Sequence, residues 1–475
     1  MGQKVRIFIL IIPILFGCNT YPQQANLIPE QLVGSWEGSL TFNSITLRMV
    51  FHLEQNESGN LGGTMDSPDQ GATGIAISEV KIDSNTINIS IRSIGGTYTG
   101  EYNDQTKELK GTWRQGSSSL PLILKPKVEE VVLNRPQEPK PPYPYNTVEV
   151  SFENVEAGVS LAGTLIYPKG EEPFSAVILI SGSGPQNRNE EVFQHKPFLV
   201  LADHLVRQGI AVLRYDDRGT GESTGNFASG TSRDFAKDAW AAFQFVKEQK
   251  YFNTTKIGLV GHSEGGLIAS MLAAEHEELD FAVLMAGPGL TGEEITHLQS
   301  ALIARANGAS EEEISRSNDL NKRLFEAVKS EPDRQELSSE IETIINDYIA
   351  NLSESEKLKP ENNRESLNAI ASRVTTPWFR YFLTYDPSEV LSKMKCPVLA
   401  VNGEKDLQVP PKENLKAIEK ALKKAKNKDF TIKEIKGLNH LFQTANTGSP
   451  SEYVQIEETF SPQAMSLISE WIKQR

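Results

Sequence analysis

Residues 257–267 read Ile257-Gly258-Leu259-Val260-Gly261-His262-Ser263-Glu264-Gly265-Gly266-Leu267. A short apolar run that ends in Gly-x-Ser-x-Gly and passes into a helical pattern predicts a strand, a tight turn and a helix. Glycine on either side of Ser263 suits a crowded turn with the serine hydroxyl at its apex. The helix behind it would aim its N-terminus at the serine, where aligned peptide dipoles favour negative charge. A serine hydroxyl is a weak nucleophile until a histidine takes its proton and an acid orients that histidine. The turn therefore demands a base and an acid from elsewhere in the chain.

Outward from this turn, apolar strands alternate with helical stretches. Val148 to Phe152 and Ser160 to Tyr167 read as an antiparallel opening pair. Ala176-Val177-Ile178-Leu179-Ile180 and Ile210-Ala211-Val212-Leu213 are continuous apolar runs, as expected of strands covered on both faces. Phe281 to Met285, Pro397 to Val401 and Phe430 to Ile435 supply further strands. Pro197 to Gln208 and Phe235 to Lys250 have helical spacing. Such alternation predicts a mostly parallel sheet flanked by helices over residues 146–475.

Two regions depart from that pattern. Residues 291–370 hold 17 acidic and 9 basic residues, a net −8 within one stretch. Ser310-Glu311-Glu312-Glu313 forms a capping box, and Leu337, Ile341, Ile344, Ile345, Tyr348, Ile349 and Leu352 recur at helical spacing. Two or more amphipathic helices are expected at about 290–375, inserted between two sheet strands as a lid. Residues 30–126 form the other exception, with short alternating runs such as Ile87-Asn88-Ile89-Ser90-Ile91 separated by turn clusters such as Asn103-Asp104-Gln105. This spacing predicts a small antiparallel barrel or sandwich. Its opening, Gly34-Ser35-Trp36, is similar to the Gly-x-Trp start of lipocalin-like barrels. Between the two units, the proline-rich run Arg135 to Tyr145 predicts an extended, semi-rigid linker, placed over 127–145.

Of the seven histidines, His52 falls in the β unit, and His195 and His204 precede the serine. His262 adjoins it, His276 lies on the following helix and His297 in the insertion. His440 alone lies in a loop after the last strand, so elimination and position make it the base. The acid belongs at the end of a strand between serine and histidine, where Asn402-Gly403-Glu404-Lys405-Asp406-Leu407-Gln408-Val409-Pro410 offers Glu404 and Asp406. A developing oxyanion needs backbone donors: the N–H of Glu264 and one from the loop Ser181-Gly182-Ser183-Gly184-Pro185, with Ser183 as the candidate.

Three segments in order, Gly182-Ser183-Gly184-Pro185-Gln186-Asn187-Arg188, Arg214-Tyr215-Asp216-Asp217-Arg218-Gly219-Thr220-Gly221 and Gly261-His262-Ser263-Glu264-Gly265-Gly266, resemble bacterial EstD-type esterases of the α/β-hydrolase superfamily. The resemblance spans about residues 146–475. It implies an α/β-hydrolase fold and cleavage of small carboxylic esters through an acyl-enzyme on Ser263, with Asp406 and His440 completing the triad. Asp406 stands in the Gly-x-x-Asp-x-x-Val-Pro pattern of that superfamily, which favours it over Glu404. Asp216, Asp217 and Arg218 are expected to order their loop as ion pairs. The superfamily also contains prolyl-oligopeptidase-like peptidases and acyl thioesterases, which stand as alternatives. A non-catalytic envelope lipoprotein that binds a ligand through its β unit is the alternative of another class.

The rest of the composition bounds partners. With 48 Lys+Arg against 62 Asp+Glu the net charge is −14, which opposes general phosphate-backbone binding, so no nucleic-acid partner is expected. Two cysteines, Cys18 and Cys396, exclude cysteine-rich zinc sites, no metal constellation is expected, and serine chemistry needs no cofactor. Lys4 and Arg6, then the apolar run Ile7 to Phe16, read as a secretory signal over 1–18. Leu15-Phe16-Gly17-Cys18 resembles the bacterial lipoprotein cleavage box, which implies a lipid on Cys18, a tether over 19–29 and attachment to the cell-envelope membrane; plain secretion is the alternative. Cys396, before an apolar strand, is expected to be a packed thiol.

Overall fold

The computed structural model describes residues 27–475 except 43–44, 57, 68–71, 116–117, 128–133, 171–172, 250–253, 331–333 and 360–361. The segment expected to be a signal and Cys18 lie outside the described residues. The chain divides into two compact units, Met1–Val132 and Leu133–Arg475.

The first unit is antiparallel throughout: β1 (Gly34–Phe42), β2 (Ile45–Gln55), β3 (Leu61–Ser67), β4 (Ala72–Ala76), β5 (Glu79–Asp83), β6 (Thr86–Ile91), β7 (Gly96–Asn103), β8 (Glu108–Gln115) and β9 (Ser118–Pro126). They form one continuous hydrogen-bonded sheet, in the order β4-β3-β2-β1-β9-β8-β7-β6-β5. The two-residue period of a strand puts Ile87, Ile89 and Ile91 on one face. There they join Trp36, Phe51, Tyr98 and Trp113 in a single core.

The second unit is an eight-stranded sheet of β10 (Asn146–Asn154), β11 (Val159–Tyr167), β12 (Phe174–Ile180), β13 (Ala211–Tyr215), β14 (Thr254–His262), β15 (Phe281–Met285), β16 (Val398–Gly403) and β17 (Phe430–Ile435). Its order is β10-β11-β13-β12-β14-β15-β16-β17. β10 and β11 pair antiparallel, as does β11 with β13, and all other neighbours run parallel. Continuous apolar strands are explained by the two cores. Ala176, Ile178 and Ile180 face α2 (Ser232–Glu248), α3 (Glu264–Glu275) and α11 (Pro411–Lys424). Val177 and Leu179 face α1 (Pro197–Arg207) and α12 (Pro462–Lys473). Each fully buried aliphatic side chain in such a core contributes roughly 1.5–3 kcal/mol.

Between β15 and β16 the chain forms α4 (Gly292–Ala306), α5 (Glu311–Ser330), α6 (Arg334–Ala350), α7 (Glu354–Lys357), α8 (Arg364–Val374), α9 (Pro377–Thr384) and α10 (Ser388–Leu391). The helical insertion therefore continues to Leu391, beyond the expected limit near 375. Leu324, Phe325, Ile341, Ile345, Leu367, Phe379 and Leu383 give it an apolar core of its own.

The proline-rich segment differs from the expected linker. Arg135 donates to the carbonyls of Phe193, Gln194, Val454 and Ile456. Gln137 bonds Thr459 and Phe460. Proline stiffens a segment but leaves its polar neighbours free to dock, and here they satisfy carbonyls of the second unit. Cys396 carries a free, half-buried thiol that burial pushes up to about 12, so little thiolate forms near neutrality.

Of the three charged residues expected to order the 214–221 loop as ion pairs, two do so. Asp216 pairs with Arg188 at 2.7 Å, and Arg218 grips Asp238 through two contacts of 2.6 and 2.8 Å. Asn154 also donates to Asp238 at 2.7 Å. Asp217 instead accepts hydrogen bonds from Ser181 and Gln186. Removing one partner of a buried pair strands the other charge. Arg218→Ala is therefore expected to cost about 3–5 kcal/mol, read as a lowered urea midpoint for the second unit.

Candidate active site

Ser263 stands between the end of β14 and the first residue of α3, with φ 52° and ψ −117°, a backbone region that costs a side-chain-bearing residue energy. Its N–H is held by the Met285 carbonyl at 2.8 Å. The flanking glycines are sterically required. A Cβ at Gly261 would lie 2.0 Å from the Gly265 carbonyl oxygen, and one at Gly265 would lie 2.0 Å from that of Ile180. The strand and the helix thus pack closely enough to hold the serine in an otherwise unfavourable conformation. Among the described residues the Ser263 hydroxyl has no hydrogen-bond partner, which leaves it free for a reacting group.

Asp406 and His440 come together on the loops that follow β16 and β17. His440 Nδ1 lies 2.8 Å from Asp406 Oδ2, and both residues are buried. The other carboxylate oxygen accepts from the backbone N–H groups of Gln408 and Val409 at 2.8 and 2.9 Å. One oxygen is thus fixed by its own turn and the second is left for the imidazole. A carboxylate partner makes Nδ1 the protonated nitrogen, so Nε2 carries the lone pair that a general base needs. Glu404 is exposed and accepts from the Gly437 N–H at 2.9 Å, so it is occupied away from His440.

The turn that carries the serine is joined to the histidine loop by His262. Its Nε2 lies 2.9 Å from the His440 carbonyl oxygen, and its Nδ1 lies 2.9 Å from Glu190 Oε1. Glu190 Oε1 also accepts from the Gly182 N–H at 2.8 Å. The 181–185 loop meets the serine at Gly182, where an added Cβ would lie 3.4 Å from the Ser263 Cβ. Glu190 occupies the Gly182 N–H, whereas the N–H groups of Ser183, Gly184, Glu264 and Gly265 have no acceptor among the described residues. Asp217 braces the same loop, accepting from the Ser181 hydroxyl and the Gln186 N–H, each at 2.9 Å. Burial pushes the Asp217 carboxyl up to about 8 against these bonds.

The insertion reaches the site at two points. Trp378, on α9, donates its indole N–H to the Glu264 carboxylate at 2.7 Å, and Ser232 donates to the same oxygen at 2.5 Å. Burial raises the Glu264 carboxyl, and these two donors only partly offset it. Gln299, on α4, donates to Gln408 at 3.3 Å, two residues past Asp406. Sequence reasoning overlooked Glu190, the role of His262 and Trp378. His262 was visible inside the serine motif; the other two carry no local pattern.

The family model for X-Pro dipeptidyl-peptidases (S15 family) matches residues 157–437. Esterase EstD of Thermotoga maritima is 27% identical over 308 residues, which is 64% of this chain. The chain likewise spans 64% of the length of that relative. Among solved structures, a Pyrococcus furiosus esterase aligns over 70% of this chain and 91% of its own, at 18% identity and a TM-score of 0.41. Est1E from Butyrivibrio proteoclasticus, with ferulic acid bound, aligns over 68% of this chain and 96% of its own, at 18% identity and a TM-score of 0.38.

Proposed function

The chain belongs to the X-Pro dipeptidyl-peptidase (S15) family of α/β-hydrolases, and we propose that it is a serine esterase that cleaves small carboxylic esters. The observation that carries this reading is the 2.8 Å contact between His440 Nδ1 and Asp406 Oδ2 beside a strained serine turn. In the proposed mechanism His440 Nε2 takes the Ser263 proton as the hydroxyl oxygen attacks the ester carbonyl carbon. The N–H groups of Glu264 and Ser183 receive the developing oxyanion. His440 then returns the proton to the departing alcohol oxygen, and a water, activated by the same nitrogen, attacks the acyl-enzyme to release the acid. The helical insertion serves as a lid, a role supported by its contacts to Glu264 and Gln408. The protein is exported and held at the cell-envelope membrane by a lipid on Cys18, as the lipoprotein-type box suggests; release from membranes by high salt without detergent would refute this anchor.

A peptidase reading has its own support, since the matched family model is that of X-Pro dipeptidyl-peptidases. Fold and triad do not set the leaving group. Purified protein assayed on p-nitrophenyl acetate, longer acyl esters and Xaa-Pro p-nitroanilides separates the two. The ester reading expects kcat/KM for the best ester to exceed that for any anilide by at least about a hundredfold, a difference of roughly 2.7 kcal/mol. Faster anilide turnover would establish the peptidase. Failure to label with a fluorophosphonate probe would refute both and favour a non-catalytic lipoprotein.

A further inference from the structure

His262 has a hydrogen-bonding environment that decides its charge. One ring nitrogen faces a carboxylate oxygen of Glu190 and the other faces the carbonyl oxygen of His440, each at 2.9 Å. Both partners are acceptors only, unless Glu190 is protonated. A neutral imidazole has one donor and one acceptor nitrogen, so it would set a lone pair against an oxygen at one of the two contacts. With two protons, the imidazolium satisfies both. His262 and Glu190 are each almost fully buried, so a doubly protonated His262 would form an ion pair inside the protein.

The surroundings agree. Burial alone would make His262 less basic, but the Glu190 carboxylate, helped by the His440 carbonyl and the more distant Asp406, outweighs it and holds the ring above the ordinary histidine value. Glu190 comes from the loop between β12 and α1, and Asp406 from the loop after β16. On its own turn, the Glu264 carboxylate is occupied by Ser232 and Trp378. From the loop after β17 come the His440 ring, its centroid 4.8 Å away, and the uncharged Phe442 ring at 6.2 Å. Glu190 itself is kept at φ 51°, a left-handed conformation that costs energy in a residue with a side chain. Its carboxylate ties the 181–185 loop to the serine turn through Gly182 and His262 together.

The geometry points to His262 as a positioning residue: an imidazolium, clamped between Glu190 and the His440 carbonyl, that fixes the histidine loop against the serine turn and sets a positive charge beside the catalytic imidazole. This goes beyond the triad and rests on reading His440 as its base.

Two measurements test the proposal. The first is the nitrogen-15 spectrum of the histidine rings in the wild-type protein at neutral pH, assigned for His262 by comparison with His262→Asn. Two protonated ring nitrogens are expected, and a neutral His262 ring would overturn the proposal without any need for activity. The second is the same nitrogen-15 spectrum for Glu190→Gln, which keeps the side-chain shape and removes the charge. His262 then loses its counter-ion and one ring proton, so a single protonated ring nitrogen is expected. Two protonated ring nitrogens retained at His262 in Glu190→Gln would overturn the assignment of Glu190 as its counter-ion. Should Glu190→Gln not fold, the wild-type spectrum decides alone. Failure of the triad reading would show separately, as turnover retained in His440→Ala, while the His262 ring remains readable.

Discussion

Ser263→Ala is expected to lower kcat for p-nitrophenyl acetate by about five to six orders of magnitude, the range found when a nucleophile is removed from a serine-hydrolase triad. The alanine deletes the atom that would carry the acyl group, so the covalent route closes and only the oxyanion donors and substrate positioning remain. These two leave a residual acceleration of about 10³–10⁴ over water. The loss should not come from unfolding. Ser263 is half-buried and its hydroxyl bonds to no described residue, so an unchanged thermal midpoint is expected alongside the lost turnover. Steady-state kinetics together with fluorophosphonate labelling check this. Turnover within tenfold of wild type would show that Ser263 is not the nucleophile.

Asp406→Asn is expected to cost about 10⁴ in kcat, the magnitude that follows when the acid of such a triad becomes an amide. The asparagine oxygen can still accept from the Gln408 and Val409 N–H groups that hold Asp406 Oδ1 now. Its amide nitrogen then faces His440 Nδ1, which must turn acceptor and push its proton onto Nε2. The nitrogen that should act as base is thereby blocked while the fold stays intact. Glu404→Gln is the matched control. Among the described residues its side chain meets only the Gly437 N–H on the surface, so a change of no more than a few-fold is expected. Equal losses in both variants would refute the assignment of Asp406.

What could be read from the chain, and what could not, follows from how far each signal reaches. The strand–turn–helix around Ser263 is a local pattern, and the crowding behind its glycines shows in the 2.0 Å approach that an added Cβ would make. His440 followed from chain order. Separating Asp406 from Glu404 needed a family pattern, because both lie on one loop and only the hydrogen bonds show which faces the imidazole. Glu190 touches His262 across 72 positions, and Trp378 touches Glu264 across 114. No periodicity carries such pairings, since tertiary folding alone brings them into contact. The insertion was legible as helical from its spacing in 337–352, yet its length was not. The short helices α7, α9 and α10 hold too few turns to display a stripe, and they take their place from packing on their neighbours.

The docking of Arg135 and Gln137 bears on where the polypeptide can be divided. A truncation that begins at Asn146, where the sheet starts, discards a guanidinium that four backbone carbonyls share and an amide that bonds Thr459 and Phe460. The segment 454–460 would lose its clasp, and His195, which bonds Tyr453 and Thr459, would sit at a loosened seam. A cut ahead of Arg135 keeps that clasp. The proline run then acts as a strap that the hydrolase carries with it, and the place to separate the two units lies on its N-terminal side.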